Sequence, residues 1–146
     1  MKIVSVKGLK IGEGSPKIII PIVDKTRTSI IEKAKVISEL KFDMVEWRAD
    51  CYEDVFDSHK VLDTLSELRK VIPDKPLIFT FRTHKEGGLK EISDDYYLEI
   101  NKIVSESGNI DLVDIEVLSI NCVVEEFIRY IKKTGVFIVG SYHVFT

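Results

Sequence analysis

Polar side chains able to bind an anion or move a proton recur two positions apart in four segments of the chain. In sequence order they are Glu46, Arg48 and Asp50; Thr80 and Arg82; Asp114 and Glu116; and Ser141 and His143. Residues two apart on a β-strand point to the same face. Carboxylates, guanidinium groups and an imidazole collected on one face could hold an anionic molecule and transfer protons to and from it.

The elements that must position these residues form an alternating series of strands and helices. A glycine-containing hairpin is predicted over residues 3–17. Strands are predicted at 18–23, 44–50, 76–82, 112–118 and 136–143, and helices at 26–40, 58–71, 94–105 and 123–133. Strands that alternate with helices form a parallel sheet through right-handed crossovers. The continuous apolar run 18–23 predicts a strand that is covered on both faces, and residues 136–142 are interpreted as a buried strand.

Two α/β architectures fit this order, namely a five-stranded doubly wound sheet and five units of a (β/α)8 barrel. The position of the charges favours the barrel, because each strand is apolar at first and polar at its end. A doubly wound sheet would bury these charges under helices, whereas a barrel opens them onto its mouth. The pairs Glu46 with Arg48 and Arg82 with Glu116 could instead be structural ion pairs, and the sequence leaves this open.

Composition sets limits on the class of protein. The 146 residues fit a single domain, 45% of them are hydrophobic, and the net charge is −3. No basic stripe stands out, which argues against a nucleic-acid partner, and no apolar stretch is long enough for a membrane helix. No signal peptide is visible at the start of the sequence. We therefore expect a globular protein of the cytoplasm that binds neither nucleic acid nor membrane.

The remaining cysteines and histidines give weak signals. Cys51 and Cys122 match neither a disulfide framework nor a metal site, so we interpret them as reduced thiols and expect no metal. His59 is predicted on the solvated face of a helix. His84 falls in the loop after the third strand of the alternating series, and its role stays open.

Four short motifs, in order and on predicted strands, resemble one known family. They are EWRAD at 46–50, FTFR at 79–82 followed by EGG at 86–88, DIE at 114–116, and SYH at 141–143. Together they resemble type I 3-dehydroquinate dehydratase, a (β/α)8 barrel enzyme of the shikimate pathway of aromatic amino-acid biosynthesis. The resemblance runs through essentially the whole chain and implies the amino-terminal portion of such a barrel.

The resemblance implies a carbon–oxygen lyase that converts 3-dehydroquinate to 3-dehydroshikimate through a lysine imine, without a metal or organic cofactor. His143 would be the general acid and base, and Glu86 would hydrogen-bond it and set its orientation. Glu46, Arg48 and Arg82 would bind the substrate, since guanidinium groups suit an anion.

The sequence departs from the family pattern in two places. The imine-forming lysine of the family lies on the sixth strand, which this sequence does not contain, and Val144 follows His143 where an acidic or amide residue is usual. Lys17 lies at the wrong end of its strand, and Lys85 and Lys90 are predicted in a loop where little would desolvate them. We therefore expect the isolated chain to lack activity.

The alternative is a non-catalytic partial barrel that binds a ligand or self-associates, as a homodimer or otherwise, through its open sheet edges.

Overall fold

A computed structural model describes residues 2–119 and 124–145 of the chain. A short antiparallel hairpin, β1 (Val4–Val6) and β2 (Leu9–Ile11), comes first. The strands that follow are β3 (Ile19–Ile22), β4 (Met44–Arg48), β5 (Leu77–Thr80), β6 (Leu112–Glu116) and β7 (Phe137–Ser141). The helices are α1 (Arg27–Ser38), α2 (Ser58–Val71), α3 (Asp94–Glu106) and α4 (Val124–Lys133). The predicted alternation is confirmed, and most boundaries differ by a few residues.

The five later strands form one parallel sheet in the order β3-β4-β5-β6-β7. Each strand therefore lies beside its predecessor in the sequence. A doubly wound sheet would reverse direction at a switch point, whereas a barrel adds its strands in sequence order. The described residues thus form four consecutive β/α units of a barrel and the strand of a fifth, with β3 and β7 as the open edges.

The helices pack against the outer face of this sheet. Each helix whose start is described begins after a polar N-cap, since Thr26, Asp57 and Ser93 accept hydrogen bonds from backbone N–H groups of α1, α2 and α3. Their apolar stripes cover the outward residues of the central strands, of which Trp47 and Phe79 are fully buried with ring centroids 5.7 Å apart.

The inner face changes from apolar to polar along the strands. Met44, Ile78 and Leu112 lie inside, near the start of β4, β5 and β6, and form a small buried cluster with Val6 of the hairpin. The hairpin therefore covers the amino-terminal end of the sheet. The inward positions that follow are polar, so the charged residues collect at the carboxyl-terminal mouth, where barrels keep their chemistry.

An ion pair that the sequence analysis did not single out also lies at the amino-terminal end. Arg69 of α2 approaches Asp111 at 2.5 Å, and the same carboxylate oxygen accepts the backbone N–H of Leu77 at 2.9 Å. Asp111 thus ties a helix to the start of a strand, at the opposite end from the mouth.

The prediction that 18–23 is covered on both faces was wrong, and so was the prediction that 136–142 is a buried strand. Ile19 is 44% exposed, Val23 is 55% exposed and Phe137 is 41% exposed. Ile19 pairs with Met44 and Phe137 with Leu112, so both side chains point inward. Each belongs to an edge strand with one neighbour in the sheet, and the open lumen leaves the inner face of that strand uncovered. Pro21 is tolerated there because an edge strand can lack one backbone donor.

The prediction that Asp50 shares a strand face with Glu46 and Arg48 was also wrong. β4 ends at Arg48, and a single 3-10 turn, Ala49–Cys51, follows. This turn carries Asp50 into the interior, where it is completely buried. Alternation along an extended strand cannot be continued through a tight turn, which is why the spacing misplaced this residue.

Candidate active site

His143 and Glu86 form a doubly bonded pair at the mouth. His143 lies two residues beyond the end of β7, and its Nδ1 is 2.9 Å from Oε2 of Glu86. The backbone N–H of His143 donates to the same oxygen at 3.0 Å. Glu86, in the 3-10 turn after β5, is 2% exposed, whereas the side chain of His143 is 43% exposed. The buried Glu86 thus fixes the orientation of the imidazole, while the ring stays accessible from the mouth.

The environment of Glu86 favours its ionised form. Burial by itself would raise the pKa of Glu86, but hydrogen bonds from Ser119 and from both donors of His143 outweigh it, and Arg82 lies 3.6 Å away. The pKa of Glu86 is therefore lowered. An ionised carboxylate is acceptor-only and can fix the tautomer of a neighbouring imidazole.

Arg82 lies among carboxylates in the wall of the mouth. Its Nη2 is 3.0 Å from Oδ1 of Asp114, and its Nη1 is 3.1 Å from Oε1 of Glu116 and donates to the hydroxyl of Ser141 at 2.9 Å. Burial would lower the pKa of Arg82, but Asp114 and Glu116 raise it. The ion pair of Arg82 with Glu116, which the sequence left open, is therefore present.

Glu116 is the least accessible of these acids, with no exposed surface. It accepts the backbone N–H of Thr83 at 2.9 Å and the Thr83 hydroxyl at 2.6 Å. Burial raises the pKa of Glu116 although both bonds oppose this shift. Glu116 thereby anchors the start of the loop that carries Glu86.

Glu46 and Arg48 lie side by side on the inner face of β4, but each bonds elsewhere. Glu46 accepts the Thr80 hydroxyl at 2.8 Å. Arg48 forms a two-pronged ion pair with Asp50, with Nε to Oδ1 at 2.8 Å and Nη2 to Oδ2 at 2.9 Å. The side chain of Arg48 keeps 25% of its surface exposed, so it can also face a ligand.

The structure thus brings the five predicted site residues to one mouth, through contacts that sequence reasoning missed. Thr83, Ser119 and Asp50 hold Glu116, Glu86 and Arg48 in place. These three residues are visible in the sequence, but they lie in loops and turns. Such segments have no regular periodicity from which the direction of a side chain could be predicted.

The expectation that little would desolvate Lys90 was wrong. Lys90 is half-buried, donates to the backbone carbonyl of Tyr52 and lies 5.9 Å from the ring centroid of Phe56. Burial lowers the pKa of Lys90. Lys85, by contrast, keeps 62% of its side chain exposed, as expected for a loop residue.

The other candidate residues lie apart from this network. His59 is exposed, as predicted, and His84 is an exposed loop residue whose Nδ1 is 3.3 Å from the carbonyl of Gly88. Cys51 is a buried free thiol, and Cys122 lies outside the described residues.

The part of the chain that the structure describes offers neither a metal cluster nor a membrane span. In residues 2–119 and 124–145, no group of three or more His, Cys, Asp or Glu side chains is placed to hold a metal ion. None of the helices in that part of the chain is long and apolar enough to cross a membrane.

Comparison with known proteins identifies the family. A sequence model of the type I 3-dehydroquinase family matches residues 18–146. The chain belongs to this family. The resemblance carried by the four motifs is therefore confirmed.

Curated relatives and solved structures agree with this assignment. The 3-dehydroquinate dehydratases of Clostridium botulinum and Listeria welshimeri are 45% and 43% identical over 99% of this chain. The chain spans 57% and 58% of their respective lengths. The type I dehydroquinase structure from Clostridium difficile, with covalently modified comenic acid, has a TM-score of 0.90 at 42% identity over 94% of this chain and 54% of its own. The Enterococcus faecalis structure has a TM-score of 0.92 at 40% identity over 97% and 59%. The partial-barrel fold is thus confirmed.

Proposed function

We propose that this chain carries part of the active site of a 3-dehydroquinate dehydratase, in which His143 is the general acid and base. The single observation that supports this most strongly is the pair of bonds from the imidazole and backbone of His143 to the buried Glu86. A carboxylate that binds Nδ1 leaves the other ring nitrogen free to exchange protons with a substrate.

In the proposed reaction a lysine amine condenses with the ketone of 3-dehydroquinate and releases water. The resulting imine stabilises the carbanion that forms when the adjacent C–H proton is removed. The neighbouring C–OH bond then breaks, the hydroxyl leaves with a proton as water, and hydrolysis of the imine frees 3-dehydroshikimate. His143 moves the protons at these steps, and Glu86 keeps its ring in one orientation.

Glu46, Arg48 and Arg82 are proposed to bind the polyhydroxylated, anionic ring. The mouth supports a further part of this proposal through its charge balance. The acids that meet there are Glu46, Asp50, Glu86, Asp114 and Glu116, and the guanidinium groups are those of Arg48 and Arg82. An anion would be repelled by such an excess of carboxylates. We therefore propose that a complete site includes additional cations, among them the imine-forming lysine.

Neither loop lysine near the mouth is suited to the covalent step. Lys85 is exposed, so nothing desolvates its amine, and Lys90 already donates to the carbonyl of Tyr52. We propose that the reactive lysine lies outside the 146 residues, on the strand that follows β7 in the family. Borohydride with 3-dehydroquinate should then leave this chain unmodified. A trapped adduct, located by mass spectrometry, would contradict this part of the proposal.

The acid–base role of His143 is tested in a completed barrel. The chain is fused to, or mixed with, the remaining portion of the Clostridium botulinum relative, and the formation of dehydroshikimate is followed. His143→Ala should lower turnover by about 10²–10⁴-fold. The matched control, His59→Ala, changes an exposed histidine on α2 and should leave turnover unchanged. Near-normal turnover of the His143 variant would make this residue structural.

The exposed inner face of the edge strands favours the second candidate function. Ile19 and Phe137 present apolar surface beside unpaired backbone at the two edges of the sheet. A partial barrel of this kind could bind ligands or pair with a second copy without performing the covalent step. Catalysis by the completed barrel, lost in His143→Ala, would contradict a purely non-catalytic role.

A further inference from the structure

We propose that Asp50 is a positioning residue that sets the geometry of Arg48 and of the Glu86–His143 pair from one buried carboxylate. The side chain of Asp50 has no exposed surface. Its Oδ1 accepts Nε of Arg48 at 2.8 Å and the backbone N–H of Arg82 at 3.3 Å. Its Oδ2 accepts Nη2 of Arg48 at 2.9 Å and the backbone N–H of Leu89 at 3.2 Å.

The two backbone donors are the two ends of one loop. The loop leaves β5 through Arg82 and returns at Leu89, so Asp50 holds both ends together. Within the loop, Gly88 donates its backbone N–H to the carbonyl of Thr83 at 2.8 Å. Gly88 also packs so closely that an added Cβ would lie 1.8 Å from the carbonyl oxygen of Arg82. The loop is therefore a tight ring that is closed on Asp50.

Glu86 lies inside this ring, three residues before Leu89. Its carboxylate reaches His143, which belongs to the chain after β7 and has no bond to the loop other than those to Glu86 among the hydrogen bonds described. A shift of the ring therefore moves the acceptor away from His143. The same carboxylate of Asp50 also binds the guanidinium of Arg48. Asp50 therefore couples Arg48, which is proposed to bind the anionic substrate, to His143, the proposed acid and base.

An aspartate is the side chain that fits this position. Four N–H donors converge on its two oxygens, the Cys51 thiol lies 4.0 Å from Oδ2, and an ionised carboxylate can accept from all of them. An asparagine has the same size but presents an NH2 group to two of these donors, so their bonds would be lost. Asp50→Asn therefore changes hydrogen bonding and charge while it leaves the volume unchanged.

Amide hydrogen exchange and the 15N spectrum of the His143 imidazole test this inference. In Asp50→Asn, the amide of Arg82 or of Leu89, whichever faces the NH2 group, and the amide of His143 should exchange about tenfold faster or more, since each loses its acceptor or its alignment. The imidazole Nδ1 signal should move toward that of a ring without a carboxylate partner. The unchanged chain provides the reference.

Asp111→Asn is the matched control. Asp111 also binds an arginine and a backbone N–H, but at the opposite end of the sheet. This variant should accelerate exchange at Leu77 and leave the His143 signals unchanged. Equal acceleration throughout both variants would show that Asp50 acts only on global stability. Fast exchange at Arg82 or Leu89 with an unchanged His143 would show that the loop does not control the pair. Either result overturns the inference.

A second variant keeps the test valid if Asp50→Asn does not fold. Leu89→Pro removes one backbone donor and retains the carboxylate, the lost side chain is 70% exposed, and the preceding glycine relaxes the usual restriction before proline. His143 should respond in the same direction, and an unchanged His143 signal would again overturn the inference. That the positioning serves catalysis rests on the proposed function. The exchange measurement does not depend on that function, because no substrate is present. A negative exchange result is therefore distinct from a negative result of the turnover test.

Discussion

Glu86 shows how one buried carboxylate can serve both stability and orientation. Its oxygens receive bonds from Ser119 and from two donors of His143, and Arg82 lies nearby. These partners favour the charged form, so the pKa of Glu86 is lower in the folded chain than in the unfolded chain. Linkage then requires that its contribution to stability depend on pH.

Glu86→Gln should lower the free energy of unfolding by about 1.5–3 kcal/mol near pH 7, because a charge-assisted acceptor is lost from a buried site. A lowered folded pKa gives stability that is fully present above the unfolded value, about 4.3, and is lost as pH falls through the folded pKa. The difference between the two proteins should therefore shrink at about pH 3. Urea unfolding at both pH values, followed by the fluorescence of the single tryptophan, Trp47, measures the free energy of unfolding of each protein.

Glu125→Gln is the control for this prediction. Glu125 pairs with Arg129 at 3.5 Å on the surface of α4, and its side chain is 89% exposed. Exposed ion pairs of this kind contribute little to stability, so the free energy of unfolding of the variant should match that of the unchanged chain at both pH values. A loss in Glu86→Gln that is the same at both pH values would show that ionisation of Glu86 is not its source.

The loop after β5 illustrates the element scale, because its shape depends on close backbone packing. Gly88 has no positive φ, so its requirement for glycine is one of space and not of backbone conformation. An added Cβ would meet the carbonyl oxygen of Arg82 at 1.8 Å and that of Thr83 at 2.9 Å. Backbone atoms cannot move aside as a flexible side chain can, so the loop must open.

Gly88→Ala should therefore destabilise the fold by about 1–3 kcal/mol, the usual cost of overpacking, and should accelerate amide exchange at His143. Gly140→Ala is the matched control, because an added Cβ on β7 would meet only Val117 at 3.4 Å. Urea unfolding and hydrogen exchange measure both effects. Equal behaviour of the two variants would contradict the steric argument.

The elements were predictable from the sequence because helix and strand periods are local properties. The stripe of Val61, Leu62, Leu65 and Leu68 predicts α2; Leu62 is half-buried and the other three are fully buried. The exposure of Ile19 and Phe137 was not predictable, since it depends on which strands lie at an edge. The hydrogen-bond partners of the site residues were not predictable either. Asp50 bonds to Leu89, 39 positions away in the sequence, and both residues lie in irregular segments without periodicity.

At the scale of the whole molecule, the sheet ends at two uncovered strands. β3 and β7 each pair with one neighbour, and their inward apolar residues are accessible. Such edges favour pairing with another chain. We expect the isolated chain to self-associate, as a homodimer or a larger assembly.

Ile19→Lys should weaken this association, because it places a charge on the accessible inner face of β3. Val36→Lys, a change of similar character at a 61% exposed position on α1, should leave association unchanged. Sedimentation at rising protein concentration measures the assemblies. A monomeric unchanged chain at high concentration would contradict the expectation, as would equal effects of the two lysines.

The sequential strand order has a consequence for how the chain acquires its structure during synthesis. Every strand from β4 onward pairs with the strand that precedes it, so its partner has already left the ribosome when it emerges. Each of these strands pairs with the strand of the preceding unit, which favours stepwise growth of the sheet in sequence order. The hairpin, which is synthesised before these strands, covers the apolar end of β4, β5 and β6 as each is added. The nascent chain can therefore assemble this mouth one unit at a time, and His143 can reach Glu86 only after β7 has been added.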